Sequence, residues 1–190
     1  NRKYIRQKHG WKKNEKVYGN IGRFSLQKNQ FFLIEIYEEI LKIDQNAKFV
    51  IIGGNGPLYT QILEKVEKSI INEKTVILRD IKNVNEYYSA MDFFLLPSLF
   101  EGFAVGLVEA QASNLPCIIS DQVSQEFKTN KMIFLPLSDK EKWVSICITQ
   151  DLVDRNVPIS QELVNKFDIR YSYSVLKEYY QNLINKECEK

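Results

Sequence analysis

Residues 92–120, DFFLLPSLFEGFAVGLVEAQASNLPCIIS, join two dense apolar runs through a helical stretch. DFFLLP (92–97) and PCIIS (116–120) are rich in Phe, Leu and Ile and read as short strands, with a helix between them from about 103 to 113. The same alternation extends in both directions. Upstream, VYGNIG (17–22) reads as a first strand, followed by a polar loop and FFLIEIYEEILKI (31–43), whose apolar residues recur at helical spacing with acids opposite. KFVII (48–52) is a second strand closed by the turn Gly53-Gly54-Asn55-Gly56, and Pro57 suits the first turn of the next helix. VILRD (76–80) and a helical NVNEYYSAM (83–91) lead back to Asp92. Downstream come the weaker strand MIFLP (132–136), a helix near 139–150, and two helices from about residue 160. Strands that are apolar throughout, with helices between them, predict a parallel sheet buried on both faces. The expected fold is a doubly wound, Rossmann-like α/β sandwich of six mostly parallel strands. If the order is 3-2-1-4-5-6, it reverses between strands one and four, where such sheets bind ligands.

Composition bounds the rest. At 190 residues the chain is about one domain long. Its 44% hydrophobic and 26% charged content is that of a soluble globular protein. The net charge of +2 creates no global field for nucleic acid. Charge is uneven, however: residues 1–16 hold Arg2, Lys3, Arg6, Lys8, Lys12, Lys13 and Lys16 against the single acid Glu15. That segment reads as a solvated lead-in helix and loop, or as a face for a phosphate-rich or anionic-membrane neighbour. Residues 17–150 form the core domain, and 151–190 read as helices packing on it or toward another domain. Cys117 and Cys147 lie in apolar runs and read as small buried hydrophobes, and Cys188 has no close partner. Cysteine usage is cytosolic and lacks metal-ligand spacing, and His9 is the single histidine. No apolar stretch reaches the ~18 residues of a membrane span. A start at Asn1, without a methionine, reads as part of something longer.

Two loops flank the expected reversal. After strand one runs Gly22-Arg23-Phe24-Ser25-Leu26-Gln27-Lys28-Asn29. Gly22 lets the backbone approach a ligand, while Arg23 and Lys28 bring two cations to the carboxyl end of a central strand. Two ordinary surface cations on a polar loop would look the same. After strand four, a helix beginning near Phe103 would aim its free N–H groups and positive dipole end at the crevice, an anion site. Glu101 and Glu109 then stand roughly 12 Å apart along a helix axis. That exceeds the ~5–9.5 Å of paired glycosidase carboxylates but suits an elongated ligand. A solvent-facing Glu109 is the plainer alternative. Its neighbours Leu107, Val108, Ala110 and Ala112 favour a residue with a partner.

VYGNIGRFSLQKN, KFVIIGGNGPL and YYSAMDFFLLPSLFEGFAVGLVEAQASNLPCIISD together resemble the C-terminal domain of GT-B-fold glycosyltransferases of family four, in the bacterial exopolysaccharide and capsule branch. The similarity covers residues 17–125 clearly. The resemblance implies that Arg23 and Lys28, beside Gly22, hold the diphosphate of a nucleotide sugar. It places Glu101 on the transferred sugar and Glu109 on the ribose hydroxyls. The turn at Gly102, Phe103, Ala104 and Val105 would take phosphate, and Arg79 and Ile81 would stand near the base. Ala104 replaces a frequent Gly or Pro, and Asn114 a frequent Gly; Asn tolerates a left-handed turn.

The resemblance also implies retaining hexosyl transfer from a nucleotide sugar, UDP-sugar favoured, to a glycan or lipid-linked acceptor. Such transfer needs no metal and no cofactor, and Glu101, Arg23 and Lys28 carry the chemistry. An absent N-terminal domain would hold the acceptor. The location would be cytoplasmic, with contact at the inner-membrane surface through the full-length protein. A non-catalytic donor-binding module or subunit is the alternative. A nicotinamide enzyme is disfavoured because Gly-x-Gly-x-x-Gly is absent after strand one.

Overall fold

The computed structural model describes residues 1–126, 128–150, 164–165 and 167–188. The chain divides into two compact units, 1–155 and 156–190.

The first unit contains α1 (Arg2–Lys8), β1 (Val17–Ile21), α2 (Gln30–Ile43), β2 (Lys48–Gly53), α3 (Tyr59–Glu67), β3 (Thr75–Arg79) and α4 (Val84–Ala90). β4 (Phe93–Leu96), α5 (Val105–Ala112), β5 (Cys117–Ser120), β6 (Met132–Leu135) and α6 (Lys140–Thr149) complete it. The six strands make one sheet in the order β3-β2-β1-β4-β5-β6, and every pairing is parallel. The expected architecture and strand order are both present.

Alternate strand residues enter opposite cores, as the pleat requires. Phe49, Ile51, Phe93 and Leu95 join Leu33, Ile34, Tyr37 and Trp143 on one face. Val50, Ile52, Phe94 and Leu96 join Ile5, Tyr87, Tyr88 and Leu107 on the other. Each such side chain contributes about 1.5–3 kcal/mol by leaving water. Helix α2 turns Leu33, Tyr37, Ile40 and Leu41 inward and Glu35 outward, so its sequence period is its burial period. Cys117 and Cys147 are buried thiols outside any disulfide, and burial pushes the Cys147 thiol up.

The lead-in segment is solvated only in part: Lys3, Lys8, Lys12 and Lys13 are exposed, whereas Arg6 is buried. The carboxylate of Asp92, at the start of β4 and 4% exposed, accepts from Arg2 (2.5 Å), Arg6 (3.1 Å) and the Val17 amide (2.8 Å). Arg2 also donates to the carbonyls of Ser89, Ala90 and Met91, groups that the end of α4 leaves without helical partners. Ile5 and Trp11 are buried beside them. Two of the seven cations therefore fasten α1 to the sheet.

Two helix starts differ from the sequence reading. Helix α3 begins at Tyr59, so Pro57 precedes it, and the Leu58 amide is drawn to the Phe24 carbonyl at 3.2 Å. Helix α5 begins at Val105, two residues later than expected, after the Phe103–Val105 backbone bond tightens the approach. It ends with Asn114 at φ 57°, the left-handed conformation that asparagine accepts. In the second unit, α7 spans Ile169–Cys188. Asp168 precedes it and takes the Arg170 guanidinium at 2.5 Å, which holds the Asp168 carboxyl down at about 2. The expected helix from about residue 160 falls mainly on positions outside the described residues.

Candidate functional site

The β1–β4 ladder is short. Only Tyr18 with Phe93 and Gly19 with Phe94 are in register, and the fully buried Asn20 then donates its side-chain amide to the Leu95 carbonyl at 2.7 Å. A side chain thus replaces the main-chain ladder at the carboxyl ends of the two strands where the sheet order reverses. Both candidate loops leave from this point.

The loop after β1 is well held. The Gly22 amide bonds the Ile52 carbonyl at 2.9 Å, and buried Phe24 meets the Tyr59 ring edge-on at 5.1 Å. Gln30 donates to the Arg23 carbonyl at 3.0 Å. A 3-10 turn over Leu26–Lys28 follows, ended by Asn29 at φ 53°. A Cβ on Gly22 would come to 3.1 Å from the Lys28 stem, so the glycine makes room for that side chain. The Arg23 side chain is exposed and carries no ion pair among the described residues.

The second loop is stitched to the first. The Leu99 amide donates to the Gln27 carbonyl at 2.8 Å, and the Gln27 side chain donates to the Phe100 carbonyl at 3.0 Å. Glu101 sits among donors: Lys28 Nζ and the Ser98 hydroxyl both reach Oε1 at 2.6 Å, and Gln27 reaches Oε2 at 3.3 Å. Its side chain is only 5% exposed, against 19% for Lys28. Residues chosen separately from sequence are in direct contact.

Glu101 lies in the loop and only Glu109 on α5, so the rise of a continuous helix does not describe their separation. Among the described residues, the amides of Gly102 and Ala104 meet no acceptor, while that of Val105 is already bonded to the Phe103 carbonyl at 3.0 Å. Glu109 is exposed, and its Oε2 accepts the Tyr88 hydroxyl at 2.9 Å. Burial, with the Glu109 charge, pushes the Tyr88 phenol well up, so it acts as a donor at neutral pH.

Arg79 and Ile81 part company. The Arg79 guanidinium lies 4.8 Å over the Tyr59 ring and 3.4 Å from Asp80, at the carboxyl end of β3. Ile81 is half-buried against the core on the α4 side. Gln27, Ser98, Tyr59 and Tyr88 were not singled out from sequence, where single polar or aromatic residues carry no spacing signal. Among the described residues, no cluster of His, Cys, Asp or Glu has the makings of a metal site. Two cavities, about 630 Å³ beside α2 and α6 and about 450 Å³ beside α1, lie away from this crevice.

A parallel sheet in this order, with a cation-bearing loop and a glutamate-bearing helix at its reversal, defines the Rossmann-like domain from which GT-B glycosyltransferases are built. Residues 1–131 match the family described as glycosyl transferases group 1, and the chain belongs to that family. It is 30% identical over 179 residues to the Staphylococcus aureus capsular polysaccharide biosynthesis glycosyltransferase CapH, covering 90% of this chain and 49% of the relative. It is 27% identical over 190 residues to the Escherichia coli UDP-Gal:alpha-D-GlcNAc-diphosphoundecaprenol alpha-1,3-galactosyltransferase, covering 92% and 48%. The chain therefore spans about half the length of these relatives. Among solved structures, the C-terminal domain of the group 1 protein LpcC from Francisella tularensis superposes with a TM-score of 0.69 at 19% identity, covering 88% of this chain and 92% of that one.

Proposed function

We propose that this domain holds the nucleotide-sugar donor, a UDP-sugar first among candidates, in a retaining hexosyl transfer of bacterial polysaccharide synthesis. The observation that carries the reading is the contact of Lys28 with Glu101, which ties the loop that holds Arg23 to the loop that leads into the Glu109 helix at the β1–β4 reversal. Arg23 and Lys28, with the amides of Gly102 and Ala104, would receive the diphosphate and stabilise the charge that develops on it as the glycosidic bond breaks. Glu101, already fixed by Ser98 and Gln27, would turn toward the hydroxyls of the sugar. Glu109 would take the ribose, and Arg79, held over the Tyr59 ring, would stand near the base. The acceptor, glycan or lipid-linked, would be held by an N-terminal domain, with the whole enzyme at the cytoplasmic face of the membrane. Among the described residues, no helix is long and apolar enough to cross a membrane.

Calorimetry of this chain with UDP in the presence of EDTA tests the reading. Binding is expected without divalent metal. Binding only after addition of Mg²⁺ or Mn²⁺ would overturn the site as drawn.

A further inference from the structure

Glu109 is the exposed member of the glutamate pair, and an exposed carboxylate on a helix ordinarily samples several rotamers. Here one of its oxygens is already taken. The hydroxyl of Tyr88, a residue 1% exposed on the neighbouring helix α4, donates to Oε2 at 2.9 Å. Among the described residues Oε1 receives no donor. The Tyr88 ring is itself fixed, with the Phe94 ring 5.7 Å away in the core below. Gly106 makes the approach possible. A Cβ at that position would stand 3.2 Å from the Tyr88 hydroxyl and 3.3 Å from the Ile21 carbonyl at the end of β1.

We propose that Tyr88 is a positioning residue that fixes Glu109 to receive the two ribose hydroxyls, and that the pair makes this domain select ribonucleotide over 2′-deoxyribonucleotide donors. The inference rests on the reading of Glu109 as the ribose ligand. A carboxylate oxygen has about two acceptor sites, so Oε2 keeps one after bonding Tyr88, and Oε1 is open. A cis-diol supplies two donors at matching spacing. Orienting the carboxylate beforehand removes the cost of immobilising it when the ligand arrives. A deoxyribose supplies one donor and forfeits one bond to a charged acceptor.

The test is calorimetry of the chain and its variants with UDP and with 2′-deoxy-UDP. The ratio of the two affinities is the readout, because any loss of folded protein lowers both binding capacities together and leaves the ratio intact. The wild-type chain should favour UDP by about tenfold, the worth of a hydrogen bond to a charged group. Tyr88→Phe should weaken UDP several-fold and reduce the preference to about threefold or less. Glu109→Gln should also reduce it, and the double variant should be no less selective than Glu109→Gln alone. Gly106→Ala, which crowds the Tyr88 hydroxyl, should lower the preference in the same sense and serves if Tyr88→Phe does not fold. An unchanged preference in Tyr88→Phe, with loss in Glu109→Gln, would overturn the role of Tyr88 and leave Glu109 on the ribose. An unchanged preference in Glu109→Gln, or none in the wild type, would overturn both.

Discussion

Lys28 Nζ lies 2.6 Å from Glu101 Oε1, across 73 residues of sequence. The pair joins the loop after β1 to the loop after β4, the two segments that flank the sheet reversal. The cation and the carboxylate satisfy each other, and a diphosphate arriving at Lys28 would compete with Glu101 for it. Ser98 and Gln27 keep donors on Glu101 when that happens, so the lysine can be shared without stranding the carboxylate.

The two members of this pair are expected to respond unequally to mutation. Lys28→Met leaves a carboxylate that is 5% exposed without its cation, and should cost about 1–3 kcal/mol of stability. Glu101→Gln leaves a lysine that is 19% exposed and has a flexible stem that can turn to water, and should cost less. Urea denaturation of both variants measures this. Equal losses would show that Lys28 is confined as tightly as Glu101.

The glutamates should separate by ligand. Glu109→Gln is expected to weaken UDP and a UDP-sugar alike, each by about tenfold. Glu101→Gln should leave UDP nearly unchanged, or bind it slightly tighter because Lys28 is released, while weakening the sugar-bearing ligand. Calorimetry with the two ligands checks the order, and equal loss of UDP affinity in both variants would contradict the placement.

Asp92 should be the most costly single polar substitution among these sites. Asp92→Asn removes the carboxylate that Arg2 and Arg6 share and leaves them backbone carbonyls alone, the second being only 7% exposed, and should destabilise the domain by about 3 kcal/mol. Hydrogen exchange should quicken first across residues 1–16, because α1 loses its anchor while the sheet pairing remains.

His9 gives the domain a pH response of known sign. Its imidazole stacks on Trp11 at 4.9 Å and bonds the Tyr87 hydroxyl at 3.0 Å. Burial, then the charge of Lys8, holds it below the ordinary value of 6.5. Above that value His9 is neutral in both states and adds no slope. As pH falls through it, the unfolded chain takes up the proton first, so stability declines until the folded imidazole also titrates. Thermal denaturation from pH 7.5 to 5 should show a slope that His9→Gln reduces. A parallel profile in the variant would remove His9 as the cause.

Sequence by itself determined the elements and their order. Phe93 to Leu96, Cys117 to Ile119 and Phe49 to Ile52 are apolar at consecutive positions, and a strand covered on both faces buries such a run. The period of Leu33, Tyr37 and Leu41 likewise specified a helix with one inward face. These signals are local, carried by neighbours within a few residues. The reversal point was read only on the condition of the order 3-2-1-4-5-6, which the sheet has, and beside it stand Arg23, Lys28, Glu101 and Glu109. What only the tertiary structure decided is which polar groups meet. Glu101 with Lys28 spans 73 residues, Arg6 with Asp92 spans 86, and Tyr88 with Glu109 spans 21. Such pairs leave no periodic trace, because their geometry depends on sheet order and on how closely helices approach. The basic lead-in illustrates the difference: composition records seven cations, but only the packed α1 turns two of them inward onto one carboxylate. A buried charge is tolerated only with its partner in place, and that partner is supplied by the fold.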